Sequence, residues 1–287
     1  MINEIQCKTA LNHLKRKIPY EWDLNIYRGC NHGCKYCYAL YSHEYLGDTN
    51  YFENIYVKKN LVEVLEKELK SKKWNRGVVN IGGVTDSYQD CEKKYGIMPE
   101  VLKLLIKYKT PAIISTKSDL ILRDYDLIDQ LSRITCINIA CTITTMDEKI
   151  RKKIEPNSVS SKKRFEVLKT FRKTNASVGV HVMPIIPFLT DGEKNLEEIF
   201  SISSDIKAHY LLPGTLYLRG KTREYFFDFV KNEFPNIYPK LKKLYIHGGA
   251  NKIYKDALYA RVNRLREKYG VSSSYTKAMR EKMGQSI

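Results

Sequence analysis

Short runs of β-branched and apolar residues alternate along the chain with segments in which apolar residues recur every three to four positions. The runs are typical of strands buried on both faces of a parallel sheet, and the second spacing is typical of helices that bury one face. Six strands are predicted, over residues 23–27, 77–83, 112–116, 137–143, 177–184 and 208–213. The alternation predicts an α/β fold, a partial (β/α)6 barrel of the TIM type.

Five crossover helices are predicted between these strands. The apolar positions that define them are Val57, Leu61, Val64, Leu65 and Leu69; Val101, Leu104, Leu105 and Tyr108; Leu127, Ile128 and Leu131; Phe165, Leu168, Thr170 and Phe171; and Leu196, Ile199 and Phe200. In such a barrel the chemistry lies where strands end and the following loops begin. We therefore expect the site residues at the strand ends.

The pattern divides the chain into three parts. Residues 1–19 are an N-terminal extension, residues 20–215 the core domain, and residues 216–287 a basic, mostly helical C-terminal region. Gly270 closes the segment 261–270 as a helix C-cap. From residue 219 onwards there are 16 basic and 6 acidic residues, interleaved with Tyr225, Phe226, Phe227, Phe229, Tyr238, Tyr245, Tyr254 and Tyr259. This region is our candidate surface for polyanions.

Composition adds a bias toward anionic partners. The formal charge is +17, from 49 Lys and Arg against 32 Asp and Glu, and such an excess attracts nucleic acid above all. Richness in Lys, Ile, Asn and Tyr is also what a biased genome produces, so both explanations stay open. No apolar run approaches the roughly 20 residues of a membrane span. The N-terminus has no apolar signal segment, and we expect a cytoplasmic protein without membrane contact.

Three of the seven cysteines, Cys30, Cys34 and Cys37, have the spacing C-x-x-x-C-x-x-C after the first strand. Thiolates hold iron–sulfur clusters, and three ligands without a fourth nearby predict a [4Fe–4S] cluster with one open iron. The alternative is a zinc site completed by His32 or His43. We interpret Cys136 and Cys141 as small buried hydrophobes.

A cysteine triad of this spacing at this place is similar to that of the radical S-adenosylmethionine (SAM) superfamily. Within it, residues 20–215 resemble the spore photoproduct lyase-like branch, often labelled DNA repair photolyase. The blocks that carry this resemblance are YRGCNHGCKYCYA, SHEYLG, GGVTDSYQDCEKKYG, STKSDLILRD, TITTMDEKIRKKIEP and VGVHVMPIIPFLTD. The resemblance implies that the open iron chelates SAM. It further implies that an electron, supplied by a flavodoxin- or ferredoxin-type reductant, releases a 5′-deoxyadenosyl radical that abstracts hydrogen from substrate.

The resemblance also implies a set of SAM-binding residues. Tyr36 matches an aromatic position near the adenine, the strand-end glycines leave room for the methionyl amino group, and the Lys of the STK block contacts the SAM carboxylate. The full set of cofactor-binding candidates is Tyr36, Gly82, Gly83, Thr85, Asp86, Ser115, Lys117 and Thr142. Glu155, Pro156 and Arg164 also match the branch. We interpret Arg123 and Asp124 as a structural ion pair or helix cap.

One position departs from the branch. Spore photoproduct lyase carries a cysteine just before the threonine of this strand end, and its thiol returns a hydrogen atom to the product radical; here the residue is Val84. Cys91 or Tyr88 is then the candidate hydrogen donor. Three hypotheses follow. The protein is a radical SAM enzyme that acts on nucleic acid, or a radical SAM enzyme that acts on a peptide or small metabolite. The third is a nucleic-acid-binding module in which a metal only stabilises the fold. The sequence leaves substrate and oligomeric state open.

Overall fold

A seven-stranded sheet forms the centre of the molecule, in a computed structural model that describes residues 1–15 and 20–282. Its strand order is β10-β9-β8-β7-β6-β3-β2, with β2 antiparallel to β3 and the other six strands parallel. The strands are β2 (Leu11–His13), β3 (Trp22–Leu24), β6 (Val79–Ile81), β7 (Ala112–Thr116), β8 (Ile137–Thr142), β9 (Ser177–Ile185) and β10 (Tyr210–Thr215). The predicted α/β fold with six parallel strands is confirmed.

Helices connect the parallel strands as the apolar spacing predicts. Those in the core are α1 (Leu61–Leu69), α2 (Glu92–Tyr95), α3 (Ile97–Lys107), α4 (Tyr125–Ile134), α5 (Glu148–Ile154), α6 (Ser161–Phe171) and α7 (Glu193–Asp205). Two 3-10 helices, Tyr38–Leu46 and Leu120–Asp124, follow the cysteine segment and β7. Because each strand is followed by a crossover, all carboxyl ends of the parallel strands lie along one edge of the sheet.

A second, three-stranded sheet corrects two predictions, the helical assignment of Val57 and the extent of the first predicted strand. It has the order β1-β5-β4, with β1 (Ile2–Ile5), β4 (Tyr27–Arg28) and β5 (Ile55–Lys58). Val57, which we assigned to the first crossover helix, lies in β5 and pairs with Glu4 and Tyr27. Tyr27, which we assigned to the first strand (23–27), lies in β4, because the main-sheet strand β3 ends at Leu24. The helix begins only at Leu61, because the preceding residues are held by β1 on one side and β4 on the other. Residues 2–5 and 11–13 of the N-terminal extension thus belong to the two sheets.

The C-terminal region contains α8 (Lys221–Glu233), α9 (Tyr238–Leu244), α10 (Lys252–Tyr269) and α11 (Lys277–Lys282). Its predicted helical character and the left-handed Gly270 cap of α10 are confirmed. The aromatic surface is corrected in part, because Phe226 and Tyr245 are completely buried. They pack in one apolar cluster with Cys34 and Tyr36. The hydrophobic effect therefore fixes these helices against the cysteine segment.

The described residues contain no helix with the length and apolarity that crossing a bilayer requires. The main core lies between the sheet and helices α1, α3, α4, α6 and α7. Cys136 and Cys141 are almost fully buried, as expected for thiols that act as small hydrophobes.

Candidate active site

The three predicted metal ligands lie in one loop between β4 and the first 3-10 helix. Cys30 and Cys34 are buried, Cys37 is half-buried, and the Cys37 N–H donates to the Cys34 carbonyl at 3.2 Å. Burial raises the pKa of Cys34 to about 12 and also raises those of Cys30 and Cys37. Metal coordination removes such a thiol proton outright. The loop therefore offers three sheltered sulfur ligands.

The donor set fits an iron–sulfur cluster better than zinc. In the described part of the chain, no three His, Cys, Asp or Glu side chains converge on a single ion, whereas each thiolate of a cubane binds a different iron. His32 uses both ring nitrogens, with Nε2 2.9 Å from Asp86 and Nδ1 3.4 Å from the Asn157 carbonyl. His43 Nε2 lies 2.8 Å from the Asn54 carbonyl and its buried Nδ1 has no hydrogen-bond partner, but among the described residues neither histidine forms a metal-binding group with the cysteines. Three thiols without a histidine are the donors expected for a cluster with one open iron.

Asp86 ties the cysteine loop to two strand ends. Besides His32, its carboxylate accepts from the Thr116 hydroxyl at 2.8 Å and from the backbone N–H of Lys117 at 2.8 Å. Burial favours the protonated carboxyl group of Asp86 and raises its pKa. His32 and the backbone N–H groups of Lys117 and Tyr88 outweigh this effect and lower the pKa of Asp86 to about 2. Because both carboxylate oxygens are occupied, Asp86 connects the loop with the ends of β6 and β7.

Thr85 makes a second connection to the loop. Its hydroxyl donates to the Gly29 carbonyl at 2.6 Å, and Gln89, which also reaches Gly29, accepts from the Asn31 N–H at 3.0 Å. Sequence reasoning missed Gln89, which lies four residues after Thr85 in the turn that follows β6 and is completely buried. The segment that follows β6 therefore supports the cysteine loop through two side chains.

The predicted glycines occupy positions where a side chain does not fit. Gly82 has φ +87°, and a Cβ there would lie 2.9 Å from the Thr85 carbonyl oxygen. At Gly83 a Cβ would lie 2.9 Å from the Asp23 carboxylate. The backbone at Gly82 thus requires glycine for its own conformation, whereas at Gly83 the space is taken by the end of a side chain. Its assignment to SAM stays a prediction.

Glu155 and Arg164 form a completely buried ion pair beneath the loop, with 2.6 Å between Arg164 Nη2 and Glu155 Oε2. The Tyr36 hydroxyl donates to Glu155, and Arg164 donates to the Thr142 carbonyl at 2.7 Å. Although burial raises the pKa of Glu155, the charges of Arg164 and Lys117 lower it to about 2. The pair therefore links Tyr36, between two cysteines, to the end of β8.

Lys117 brings a positive charge to the same place. Its Nζ lies 5.8 Å from the centre of the Tyr36 ring. Burial disfavours this charge, yet the neighbouring Cys34 sulfur and the Glu155 carboxylate raise the pKa of Lys117. Ser115 is half-buried two residues earlier in β7, and Thr142 is buried at the end of β8. These strand-end side chains lie on the same edge of the sheet as the cysteine loop.

His181 is a second site residue that sequence reasoning missed. It lies on β9 beside Thr142 in the sheet register, and its Nε2 is 3.2 Å from the Tyr210 hydroxyl. Burial and the Lys117 charge lower the pKa of His181 to about 4. The imidazole is therefore neutral at physiological pH. A lone histidine in an apolar strand gave no distinctive signal.

The candidate hydrogen donors lie in the main core. Tyr88 and Cys91 are almost fully buried, and burial raises the pKa of Cys91 to about 12. Val84 is half-buried, and its carbonyl accepts from the Tyr51 hydroxyl at 2.7 Å. The role of Cys91 or Tyr88 as hydrogen donor stays a prediction.

Arg123 forms the expected ion pair with Asp124 at 2.8 Å and a second ion pair with Glu92 at 2.7 Å.

A family model described as the radical SAM superfamily matches residues 24–199, which include the cysteine loop and all these strand ends. The chain belongs to the radical SAM superfamily. Superfamily members use SAM and typically a [4Fe–4S] cluster. The chain is therefore a radical SAM enzyme, as the cysteine spacing and the strand-end blocks predicted.

Two further comparisons extend this result. An uncharacterized protein of Mycobacterium tuberculosis is 30% identical over 282 residues, which cover 96% of this chain and 83% of the relative. Spore photoproduct lyase complexed with dinucleoside spore photoproduct has a TM-score of 0.68 at 14% identity, covering 93% of this chain and 79% of that one. The radical SAM fold of this chain is thus similar to that of the lyase, as the predicted branch implied.

A structure with a bound peptide has a similar fold over part of its length. Streptococcus suis SuiB bound to precursor peptide SuiA has a TM-score of 0.55 at 14% identity, covering 92% of this chain and 52% of that chain. At these identities the likeness concerns the fold alone. Proteins with a similar fold therefore include one in complex with a dinucleoside lesion and one bound to a peptide.

Proposed function

We propose that this chain holds a [4Fe–4S] cluster through Cys30, Cys34 and Cys37, binds SAM at the adjoining strand ends, and removes a hydrogen atom from nucleic acid. The cysteine loop carries the proposal. Its three thiols are sheltered, and buried carboxylates connect it to the ends of β6, β7 and β8. When bound, such a cluster and SAM supply a 5′-deoxyadenosyl radical that removes hydrogen from a substrate.

The chain's own residues would position SAM and keep water away. Lys117 offers a cation for the SAM carboxylate, with Ser115 and Thr142 as neighbouring hydroxyl groups. The ring of Tyr36 is held by Glu155 and lies close to Lys117, so that it offers an apolar surface for the adenine. Gly82, Gly83, Thr85 and Asp86 shape the loop between β6 and the cysteines. Helix α8 covers this loop and limits solvent access.

Charge supports nucleic acid as the substrate. The chain carries a formal charge of +17, and a similar fold holds a dinucleoside lesion in spore photoproduct lyase. Val84 in place of the donor cysteine argues against the same repair reaction here. A peptide substrate is the second candidate, because SuiB shares the fold. We further propose a flavodoxin- or ferredoxin-type protein as the source of the electron.

Transfer of deuterium from labelled molecules to 5′-deoxyadenosine tests which class of substrate the enzyme uses. Reconstituted, reduced enzyme is incubated with SAM and deuterium-labelled DNA, RNA or peptide, and the 5′-deoxyadenosine is analysed by mass spectrometry. We expect deuterium to enter 5′-deoxyadenosine from labelled nucleic acid. Deuterium from peptide alone would support the second candidate and contradict the first. The Cys34→Ala variant is the control, because it lacks a cluster ligand.

A further inference from the structure

A depression between the C-terminal ends of α1 and α3 carries five basic side chains. Its volume is about 360 Å³. The basic residues that line it are Lys70, Lys72, Arg76, Lys107 and Lys109, and we refer to this depression as the basic pocket. Trp74 and Tyr108, both half-buried, complete its wall.

The basic pocket lies at the opposite edge of the sheet from the cysteine loop. Helices α1 and α3 end before β6 and β7 begin, whereas Lys117 and the segment 82–86 follow those strands. β7 alone, Ala112–Thr116, separates the two edges by about 13 Å at the usual rise per residue of a strand. The pocket is therefore separate from the proposed SAM site.

Most of the positive charge in the basic pocket is unpaired. Lys107 Nζ lies 2.6 Å from Glu66 Oε1. Among the residues that the structure describes, no other carboxylate lies within ion-pair distance of the pocket's basic groups. Unpaired cations that surround one depression create a positive potential that attracts polyanions.

Helix dipoles explain only part of this cluster. Cations are favoured at helix C-termini, which accounts for Lys70 and Lys107. Lys72, Arg76 and Lys109 lie beyond the helices. Arg76 has φ +56° and Lys109 has φ +50°, a left-handed conformation that is costly for residues other than glycine and that concentrates at functional sites. Two strained basic residues therefore line the same pocket, where glycine would be the relaxed choice.

We propose that the basic pocket binds the phosphodiester backbone of an unpaired nucleic-acid strand, away from the cysteine loop. Cations beside aromatic rings are the combination with which proteins bind single strands, because phosphates pair with the cations while bases stack on the rings. Trp74 packs against Trp22 with 5.5 Å between ring centres, and Lys107 Nζ lies 5.3 Å from the centre of the Tyr108 ring, so each ring offers its remaining exposed part to a base. In a duplex the bases are stacked inside and cannot make this contact. The site goes beyond the proposed function, since neither SAM nor the cluster takes part in it.

Lys109→Gly tests this site, with Lys207→Gly as a matched control. Lys207 has φ +55° and follows α7 as Lys109 follows α3. Each variant removes one positive charge and replaces a strained lysine with the residue that favours its backbone conformation. Both variants should therefore fold, which thermal unfolding checks, and only Lys109 lines the basic pocket.

The readout is the affinity of the reconstituted full-length enzyme for a labelled single-stranded oligonucleotide, measured by fluorescence anisotropy over a salt series. We expect Lys109→Gly to weaken binding about fivefold at low salt, as loss of a charge contact of about 1 kcal/mol implies. The slope of log affinity against log salt should fall by about 0.7, the value for one phosphate of a single strand. Lys207→Gly should change neither quantity.

Three results would overturn the proposal. One is an equal loss of affinity in both variants, which would indicate an unspecific charge effect. Another is a duplex competitor that displaces the probe better than the unlabelled single strand. The third is inorganic polyphosphate as the better competitor. SAM cleavage without nucleic acid should be the same in both variants and the wild type, so failure of this site is distinguishable from failure of the proposed function.

Discussion

Two buried carboxylates hold the segment between Cys30 and Cys37 from different sides. Asp86 binds His32, and Glu155 binds Tyr36. Both carboxylates are ionised, with pKa values lowered to about 2. Because the residues that they bind lie between the cysteines, the positions of the thiols depend on these two charges. Each carboxylate also reaches a strand end, so that the loop and the SAM residues are positioned together.

Glu155→Gln should destabilise the fold by about 3 kcal/mol at neutral pH, because the variant leaves Arg164 charged and buried without its partner. The depressed pKa of Glu155 adds a pH dependence. Its stabilising contribution is complete above the ordinary pKa of 4.5 and is lost as the pH falls toward about 2. The difference in unfolding free energy between wild type and variant should therefore shrink over this range, as denaturant titrations can measure.

Glu166→Gln is the matched control, because Glu166 forms an exposed ion pair with Lys163 at 3.4 Å. Exposed pairs contribute about 0 to 1 kcal/mol, so this variant should stay close to the wild type. A Glu155→Gln variant that is as stable as the control at neutral pH would show that the buried pair does not stabilise the loop.

Lys117→Met tests the cation assigned to the SAM carboxylate. A charge-assisted contact contributes about 1.5 to 3 kcal/mol, so equilibrium dialysis should show SAM binding weakened at least about tenfold. Iron content should be unchanged, since Lys117 is not a proposed ligand. Lys169→Met, on the exposed face of α6, removes the same charge and should bind SAM normally. Equal affinity in the two variants would remove Lys117 from the site.

Among the helices, α8 packs over the cysteine loop from the C-terminal region. The Thr222 hydroxyl donates to the Cys37 carbonyl at 2.8 Å, and the Tyr225 hydroxyl accepts from Lys35 Nζ at 3.0 Å. Phe226, completely buried, adds apolar contact with the cluster of Cys34 and Tyr36. The C-terminal region therefore takes part in the site that we had assigned to the core domain alone.

Thr222→Val should loosen this cover at a cost of about 1 kcal/mol, the usual net contribution of one hydrogen bond. Reconstituted variant and wild type should hold equal amounts of iron, but visible absorbance should fade faster in air for the variant. Thr170→Val, which removes a hydroxyl bonded only within α6, is the control. Equal fading rates for the two variants would mean that α8 does not protect the loop.

The elements differ in how far the sequence could predict them. The six parallel strands were evident because burial on both faces produces uninterrupted apolar runs. Val57 was misassigned because a short strand and the first turn of a helix share the same local spacing, and its partner Glu4 lies far away in the chain. Likewise, the contacts of Glu155 with Tyr36 and of Thr222 with Cys37 span 119 and 185 positions. No local pattern announces such contacts.

The residues of the candidate site likewise differ in how far the sequence could predict them. The cysteine triad and the strand-end blocks were recognisable because chemistry demands particular residue types at particular spacings. His181 and Gln89 were not recognisable in the sequence, because each is a single polar residue whose role depends on a neighbouring strand or loop. The reason that Gly82 and Gly83 are glycines is likewise visible only in three dimensions, where Thr85 and Asp23 occupy the space of a Cβ.

At the scale of the whole molecule, the two edges of the main sheet have different roles. The carboxyl edge carries the cysteine loop, Lys117 and the buried ion pairs, whereas the amino edge carries the basic pocket. An excess of positive charge favours association with nucleic acid at both edges. In this account, radical chemistry at one edge and strand binding at the other are independent, so each can be removed without the other.

The proposed chemistry depends on three loop cysteines that support SAM cleavage. Its most direct measurement is the yield of 5′-deoxyadenosine from SAM with anaerobically reconstituted, dithionite-reduced enzyme, compared with Cys34→Ala and with Cys7→Ala as a control outside the loop. We predict product from the wild type and Cys7→Ala, and none from Cys34→Ala. If an intact cluster yields no 5′-deoxyadenosine, or if the Cys34→Ala variant still cleaves SAM, these cysteines do not have the proposed role.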